Sequence, residues 1–202
     1  LAFEVQRQAG FGPALIFSPL LVALLGMGIE SLFLRRLYRG DPLLGLLFTF
    51  GLAMVGEQTI RIAWGTTGLP FQIPEGLRGF VALGEFIYSR YRLFAIAVTA
   101  LAILGVWLTL EKTPYGMIVR AGTRDPEMVR ALGISLRPVL TAVFGCGVAL
   151  AGLAGVLSAP LAGVHPAMGT EIGTAAFVVV VIGGLGSFWG PVLAGLLVGV
   201  IR

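Results

Sequence analysis

Charged residues are scarce in this sequence, and their scarcity excludes an ordinary soluble fold. Only 12% of the 202 residues are charged, 57% are hydrophobic and the mean hydropathy is +0.96. Soluble domains carry about twice this share of charge. A chain of this length cannot hide so much apolar surface in one core, so the composition predicts an integral membrane protein.

Cysteine and histidine are almost absent, which limits the chemistry open to the chain. The single cysteine, Cys146, lies in an apolar run without a partner for an internal disulfide, and we expect it to be a small buried packing residue. The single histidine, His165, has no carboxylate at ligand spacing, so we expect no metal site. There is no Ser-His-Asp set and no CxxC pattern. The sequence therefore predicts neither an enzyme nor a cofactor-binding protein.

Long apolar runs are the main feature that the sequence does contain. They are continuous rather than alternating, and each is about 18 residues or longer, as a helix that crosses a bilayer requires. The sequence predicts an all-α, polytopic helical membrane protein with about five to six transmembrane helices and one break near the C-terminus. The runs are 11–34, 41–64, 93–110, 138–157 and 172–201, the last interrupted at 183–191.

Lysine and arginine are unevenly shared between the two sides of these runs. Eight lie on one side and four on the other, so the side with eight is predicted to be cytoplasmic. Because these residues cluster at the ends of apolar runs, they indicate how the chain is oriented in the membrane rather than a surface that binds nucleic acid. The eight are Arg35, Arg36, Arg39, Lys112, Arg120, Arg124, Arg130 and Arg137; the four are Arg7, Arg78, Arg90 and Arg92.

The cytoplasmic loop 111–137 carries the signals of a short helix in its second half. Asp125 can cap the helix, Pro126 suits its first position, and Gly133 is placed to end it. A helix of two turns is marginal alone in water, so we expect it to dock against a partner. The alternative is a helix that lies in the lipid interface. Its polar residues are Arg124, Glu127 and Arg130, and its apolar ones are Met128, Val129, Ala131 and Leu132.

An acid and a base stand four residues apart near the outer end of the second run. Glu57 and Arg61 would share one face of a helix and could pair. A charged pair inside a membrane span suggests function, whereas a pair among the lipid headgroups does not. Both alternatives, an interfacial ion pair and a pair lining a pathway, stay open.

Glycine breaks the last apolar run into two pieces too short to span a bilayer. Such breaks are tolerated where the freed backbone groups face protein or a wet cavity, and transporters often build substrate sites from them. The alternative is a glycine-rich turn between two ordinary spans. We expect a buried break, with Gly184 and Gly186 intolerant of bulk. The full set is Gly183, Gly184, Gly186, Ser187, Gly190 and Pro191.

Small residues recur every four positions in the fourth run. Gly147, Ala151 and Gly155 form a stripe on one helix face. Because small residues let membrane helices approach closely, this stripe is predicted to be a helix-packing face.

Three stretches carry a family resemblance. They are "YGMIVRAGTRDPEMVRALGIS" (115–135), "ALAGLAGVLSAPLAGVHPAMG" (149–169) and "FVVVVIGGLGSFWGPVLAGLLVGV" (177–200). The chain resembles the permeases of ABC importers of the branched-chain amino-acid type, the LivH-like family. The resemblance covers about three quarters of the chain and implies a fragment that lacks both ends, so residues 1–202 are expected to form part of a single transmembrane permease domain.

The resemblance implies a function as well as a fold. In the family, the small helix of the cytoplasmic loop couples the permease to an ATPase, and ATP is hydrolysed on that separate subunit. The expected partners are ATP-binding cassette subunits, a second permease subunit, a periplasmic or extracellular solute-binding protein and membrane lipid, with no nucleic acid and no cofactor. The implied substrate is a branched-chain amino acid or a related small polar solute (another amino acid, an amide or urea), and the implied location is the inner membrane of a prokaryote. The alternative is an ion-coupled secondary transporter or channel, for which Glu57 would be the candidate carboxylate.

Overall fold

The structure, a computed structural model, describes residues 10–37, 42–65, 79–83, 86–184 and 186–201, together with residues 4, 6 and 77. These residues are helical except for one short hairpin and the connections between elements. They belong to two compact units, one of Leu1–Gly45 and Pro70–Gly163 and the other of Leu46–Leu69 and Val164–Arg202. Each unit is described by itself below.

Four of the helices are long and apolar enough to cross a membrane, and two further apolar helices are shorter. This confirms the predicted polytopic helical architecture. The four are α1, α2, α3 and α6, and the two shorter ones are α7 and α8. In chain order the helices are α1 (Phe11–Leu37), α2 (Pro42–Trp64), α3 (Arg90–Lys112), α4 (Pro114–Arg124), α5 (Pro126–Ala131), α6 (Leu136–Ala162), α7 (Met168–Gly183) and α8 (Trp189–Ile201).

The core of the first unit is the packing of α1 against α6. Glycines on both helices leave room for a side chain of the other: a Cβ added at Gly26 would lie 2.9 Å from Val148 Cγ1, and one at Gly145 would lie 2.6 Å from Met27 Cγ. Close approach of this kind is how membrane helices gain contact area without a hydrophobic driving force between them. The two helices are therefore held together by complementary shape.

The small-residue stripe predicted on α6 does not make this contact. No atom of the described chain outside α6 lies within 4 Å of a Cβ placed at Gly147 or Gly155. Cys146, expected to be buried, is exposed on α6. Both expectations are therefore wrong within the described chain, because α1 packs on a different face of α6.

A hairpin that the sequence analysis did not foresee precedes α3. Strands β1 (Phe80–Leu83) and β2 (Phe86–Ser89) pair antiparallel, with Phe80 opposite Ser89. Helix α3 starts directly after β2, and the Arg90 N–H donates to the Gly79 carbonyl at 3.1 Å. Arg7, Arg39 and Arg78, which enter the orientation argument, lie outside the described residues.

The second unit contains most of α2, together with α7 and α8. Close positions pair in reverse order along α7 and α8: Gly183 lies against Gly190, and a Cβ at Gly195 would be 3.7 Å from Val179 Cγ1. The two helices are therefore antiparallel, and the predicted break is a reversal of the chain rather than a kink in one continuing helix.

Candidate functional site

The loop 111–137 contains two consecutive helices, of which the sequence analysis predicted only the second. Helix α4 begins at Thr113, whose side-chain oxygen accepts a hydrogen bond from the Gly116 N–H at 3.3 Å. Pro114 occupies its first turn. A capping residue followed by proline is the same signal that marks α5, so the pattern Thr113-Pro114 could have revealed α4.

Helix α4 is fixed to the end of α3. Gly116 is buried there, and a Cβ at this position would overlap the Leu110 carbonyl. Arg120 Nη1 donates to the Leu110 carbonyl oxygen at 2.5 Å and lies 3.3 Å from Glu111 Oε2. These contacts give α4 a defined place at the end of a membrane-length helix.

Helix α5 begins and ends where the sequence predicts. Asp125 Oδ1 accepts hydrogen bonds from the backbone N–H groups of Glu127 at 3.1 Å and Met128 at 3.0 Å. At the other end, Gly133 has φ +79 and donates to the Arg130 carbonyl at 2.9 Å. The Ile134 N–H reaches the Val129 carbonyl at 3.3 Å, which completes a Schellman motif. A helix of six residues is thus held by both of its ends.

The side chains of α5 divide into an attached set and an exposed set. Val129 is 4% exposed and fixes the helix to its own unit, where α5 packs on α4 and α6. Met128 and Leu132, one turn apart, are 60% and 71% exposed. The helix therefore presents two large apolar side chains to its surroundings. The other predicted site residues Arg124, Asp125, Glu127, Arg130, Ala131 and Gly133 are exposed as well.

Glu57 and Arg61 form the predicted ion pair. Arg61 Nη2 donates to Glu57 Oε1 at 2.7 Å, with the side chains 42% and 25% exposed. The Thr170 hydroxyl, in the first turn of α7, donates to Glu57 Oε2 at 2.9 Å. The carboxylate therefore links α2 to the start of α7, a contact that the sequence does not reveal.

The glycine-rich turn between α7 and α8 is built by backbone conformation and by one cap. Gly184 and Gly186 have φ +85 and +99, and the Ser187 hydroxyl oxygen accepts from the Gly190 N–H at 3.1 Å. Pro191 lies in the first turn of α8, as predicted. Gly184, Gly186 and Ser187 are exposed in the described chain, and the expectation of a buried break stays a prediction.

Glu30 is the residue of most interest that the sequence analysis missed. Its side chain is 1% exposed, and Oε2 accepts a hydrogen bond from the Thr141 hydroxyl at 2.6 Å. The only sequence signal is one acid inside an apolar run. Within the described ranges, no three side chains of histidine, cysteine, aspartate or glutamate come together as metal ligands do.

The whole chain, residues 1–202, matches a family model described as the permease component of the branched-chain amino acid transport system. The chain belongs to this permease family. Two of the stretches that carry the resemblance correspond to the helical loop at 111–137 and to the turn between α7 and α8.

Curated relatives are similar over most of this permease-family chain. It is 31% identical over 181 residues to the high-affinity branched-chain amino acid transport system permease protein BraD of Pseudomonas aeruginosa, which is 87% of this chain and 58% of that protein. It is 28% identical over 198 residues to LivH of Escherichia coli K12, covering 95% of this chain and 62% of the relative. A probable LivH of Methanocaldococcus jannaschii is 30% identical over 103 residues, 51% of this chain and 33% of the relative. The chain thus spans about three fifths of the first two relatives, and no solved structure gives a significant match.

Proposed function

We propose that this chain is a transmembrane permease subunit of an ABC importer that carries branched-chain amino acids, or a related small polar solute, into the cytoplasm. Family membership and the names of the relatives support this proposal. So do the four membrane-length helices. ATP hydrolysis belongs to a separate ATPase subunit, and this chain contributes part of the solute path and the surface that the ATPase binds.

The observation that carries the proposal is the geometry of α5. The helix is capped at both ends and attached by Val129, yet it holds Met128 and Leu132 away from its own chain. Burial of one such side chain is worth about 1.5–3 kcal/mol, so an exposed pair is a strong candidate for a protein contact. An ATPase subunit that covers this pair would hold the loop 111–137.

The remaining partners are those that the family resemblance implies, and the orientation of the chain assigns each to a side of the membrane. The bias of basic residues supports a cytoplasmic position for α4 and α5, and the bacterial relatives support a prokaryotic inner membrane. A solute-binding protein would then deliver its ligand on the opposite side, and a second permease subunit would complete the path. Glu57, Arg61 and the turn 183–191 are the candidates for residues along that path.

Substitution of Leu132 tests the proposal. In the full-length subunit, Leu132→Asp places a charge in the contact with the ATPase, and such changes at interfaces typically cost several kcal/mol. We expect the ATPase to be lost from the purified complex while the permease remains inserted. Thr123→Asp is the matched control. It adds the same charge at another exposed position of the loop, on α4 rather than α5.

Two outcomes would contradict the proposal. Normal recovery of the ATPase together with normal transport in Leu132→Asp would mean that α5 lies on lipid. Uptake of leucine driven by an ion gradient, in vesicles that contain no ATPase subunit, would favour the ion-coupled alternative instead.

A further inference from the structure

Glu30 is a buried carboxyl group at an irregular point of a membrane-length helix. It begins a π-helical turn, Glu30–Leu34, inside α1, and its side chain is 1% exposed. One oxygen, Oε2, accepts from Thr141, whereas Oε1 is buried and has no hydrogen-bond partner among the described residues. Turns of this kind occur frequently at functional sites.

The π turn brings a base onto the same face as this acid. In a regular α-helix, residues five apart are rotated by about 140° from one another. Here the Arg35 N–H bonds to the Glu30 carbonyl, five residues back, and the widened turn lets Arg35 Nη2 approach Glu30 Oε2 to 3.7 Å. The irregularity of α1 thus creates the juxtaposition.

Thr141 of α6 joins the two charged groups. Arg35 Nη2 donates to the Thr141 hydroxyl oxygen at 2.8 Å, and that hydroxyl donates to Glu30 Oε2 at 2.6 Å. The hydroxyl therefore stands in a chain of hydrogen bonds from a cation to an anion, which runs from α1 to α6 and back. We call Glu30, Arg35 and Thr141 the α1–α6 latch.

Stability alone does not account for this arrangement. Taking the Glu30 carboxylate out of water is costly, and its cation Arg35 is 40% exposed, so the pairing offsets only part of that cost. The rest of the α1–α6 contact is made by small and apolar side chains such as Gly26, Met27 and Val148. A polar group kept at this point is therefore a candidate for a role in motion rather than in packing.

The position of Thr141 connects the latch to the loop. Thr141 lies in the second turn of α6, and α6 begins three residues after Gly133 ends α5. Leu136 is buried, and a Cβ at Gly122 of α4 would lie 2.8 Å from its Cδ2. Helices α4 and α5 therefore both contact α6 near its start, close to Thr141, whose hydroxyl bonds to Arg35 and Glu30 of α1.

We propose that Glu30, Arg35 and Thr141 are positioning residues that couple movement of the cytoplasmic loop to α1 during transport. The proposal rests on the proposed function, since it requires an ATPase to move α5. With the latch closed, α1 follows α6 when the loop moves. Without it, the ATPase still docks and hydrolyses ATP, but less of that hydrolysis moves solute.

The test uses the complete importer, with the full-length subunit, its ATPase and its binding protein in proteoliposomes. Radiolabelled leucine taken up per ATP hydrolysed is measured. Thr141→Val removes the hydroxyl at nearly constant volume, and we expect normal recovery of the ATPase with about a tenfold fall in this ratio, which is the usual scale of coupling between sites. Thr141→Ser, which keeps the hydroxyl, should restore most of the loss.

Three further variants separate coupling from packing. Thr109→Val is the matched control, because the Thr109 hydroxyl bonds to the Val106 carbonyl of its own helix at 2.8 Å and the variant should keep the wild-type ratio. Glu30→Gln keeps an acceptor for Thr141 but loses the charge. In the double variant Glu30→Gln/Thr141→Val, the fall in leucine taken up per ATP should be smaller than the sum of the two single falls, because both changes break the same hydrogen-bond network.

A wild-type ratio in Thr141→Val or in Glu30→Gln would overturn the proposal. So would equal losses in Thr141→Val and Thr141→Ser, additive losses in the double variant, or loss of the ATPase from Thr141→Val, since the latch acts after docking. Failure of the proposed function looks different: uptake by the wild-type assembly would then not depend on ATP at all.

Discussion

Gly183 and Gly190 are in direct backbone contact across the turn between α7 and α8. A Cβ at Gly190 would overlap the Gly183 carbonyl, and a Cβ at Gly183 would overlap the backbone of Gly190 and Pro191. The two helices approach this closely because neither residue has a side chain. By contrast, apart from immediate chain neighbours, no atom of the residues that the structure describes lies within 4 Å of a Cβ placed at Gly184 or Gly186. The glycines of one short turn are therefore required for two different reasons.

Gly190→Ala should separate α7 from α8. Overpacking costs about 1–3 kcal/mol, which would lower the Tm of the purified subunit by roughly 2–12 °C. Differential scanning fluorimetry in detergent measures the shift. Gly199→Ala is the control and should leave Tm unchanged, because a Cβ at this position of the same helix meets nothing within 4 Å in the described part of the chain. Equal Tm values for the two variants would show that the Gly183–Gly190 contact does not contribute to stability.

Gly184 and Gly186 should reject any side chain, whatever its size. Their φ values of +85 and +99 suit glycine, and a side chain in such a conformation costs about 1–3 kcal/mol. We expect Gly184→Leu and Gly186→Leu to abolish leucine uptake, and Gly184→Ala to lose as much as Gly184→Leu. Val200→Leu should transport normally. Full activity in Gly184→Ala with none in Gly184→Leu would mean that bulk, not φ, is decisive.

Arg61→Met should lower the amount of folded subunit in the membrane. The change leaves Glu57 with the Thr170 hydroxyl as a hydrogen-bond donor but without its cation, and an unpaired charge in a membrane span is unfavourable. Glu57→Gln/Arg61→Met removes both charges and should recover most of the protein, as measured by quantitative immunoblotting of washed membranes. Equal amounts in all three proteins would show that headgroup water solvates Glu57, which is the interfacial alternative.

Cysteine accessibility should report the orientation of the loop. In a Cys146→Ala background, needed because Cys146 is exposed, a membrane-impermeant maleimide applied to intact cells should miss Thr123→Cys and label Gly68→Cys. Thr123 is exposed on α4, whereas Gly68 lies outside the described residues. Permeabilised cells should show both labelled. The reverse pattern in intact cells would invert the proposed topology.

Local physics explains which elements could be predicted from the sequence. Asp125, Gly133 and Pro191 mark helix ends through their own backbone and side-chain chemistry, so neighbours along the chain suffice to place α5 and the start of α8. Helix α4 was missed because Gly116 and Gly122 lower its intrinsic helix propensity. Both glycines are explained only by tertiary packing, against the end of α3 and against α6.

The face of α6 that contacts α1 could not be predicted from neighbours along the chain. Spacing by four singled out Gly147, Ala151 and Gly155, but the structure uses Gly145 against Met27 and Gly152 against Pro19, where a Cβ would lie 3.2 Å from the proline Cα. Either of these two sets of small residues could support a close helix contact. Only the shape of α1 selects between them.

The sequence by itself determined that this is a helical membrane protein with a short capped helix in a polar loop, because run length, composition and capping are properties of contiguous residues. The tertiary structure alone decided the environment of Glu30. Along the chain it is one acid in an apolar run, with no partner at the spacing of a helical pair. The π turn brings Arg35 to it and the packing of α1 on α6 brings Thr141, more than a hundred positions away, so the network exists only once the helices have met.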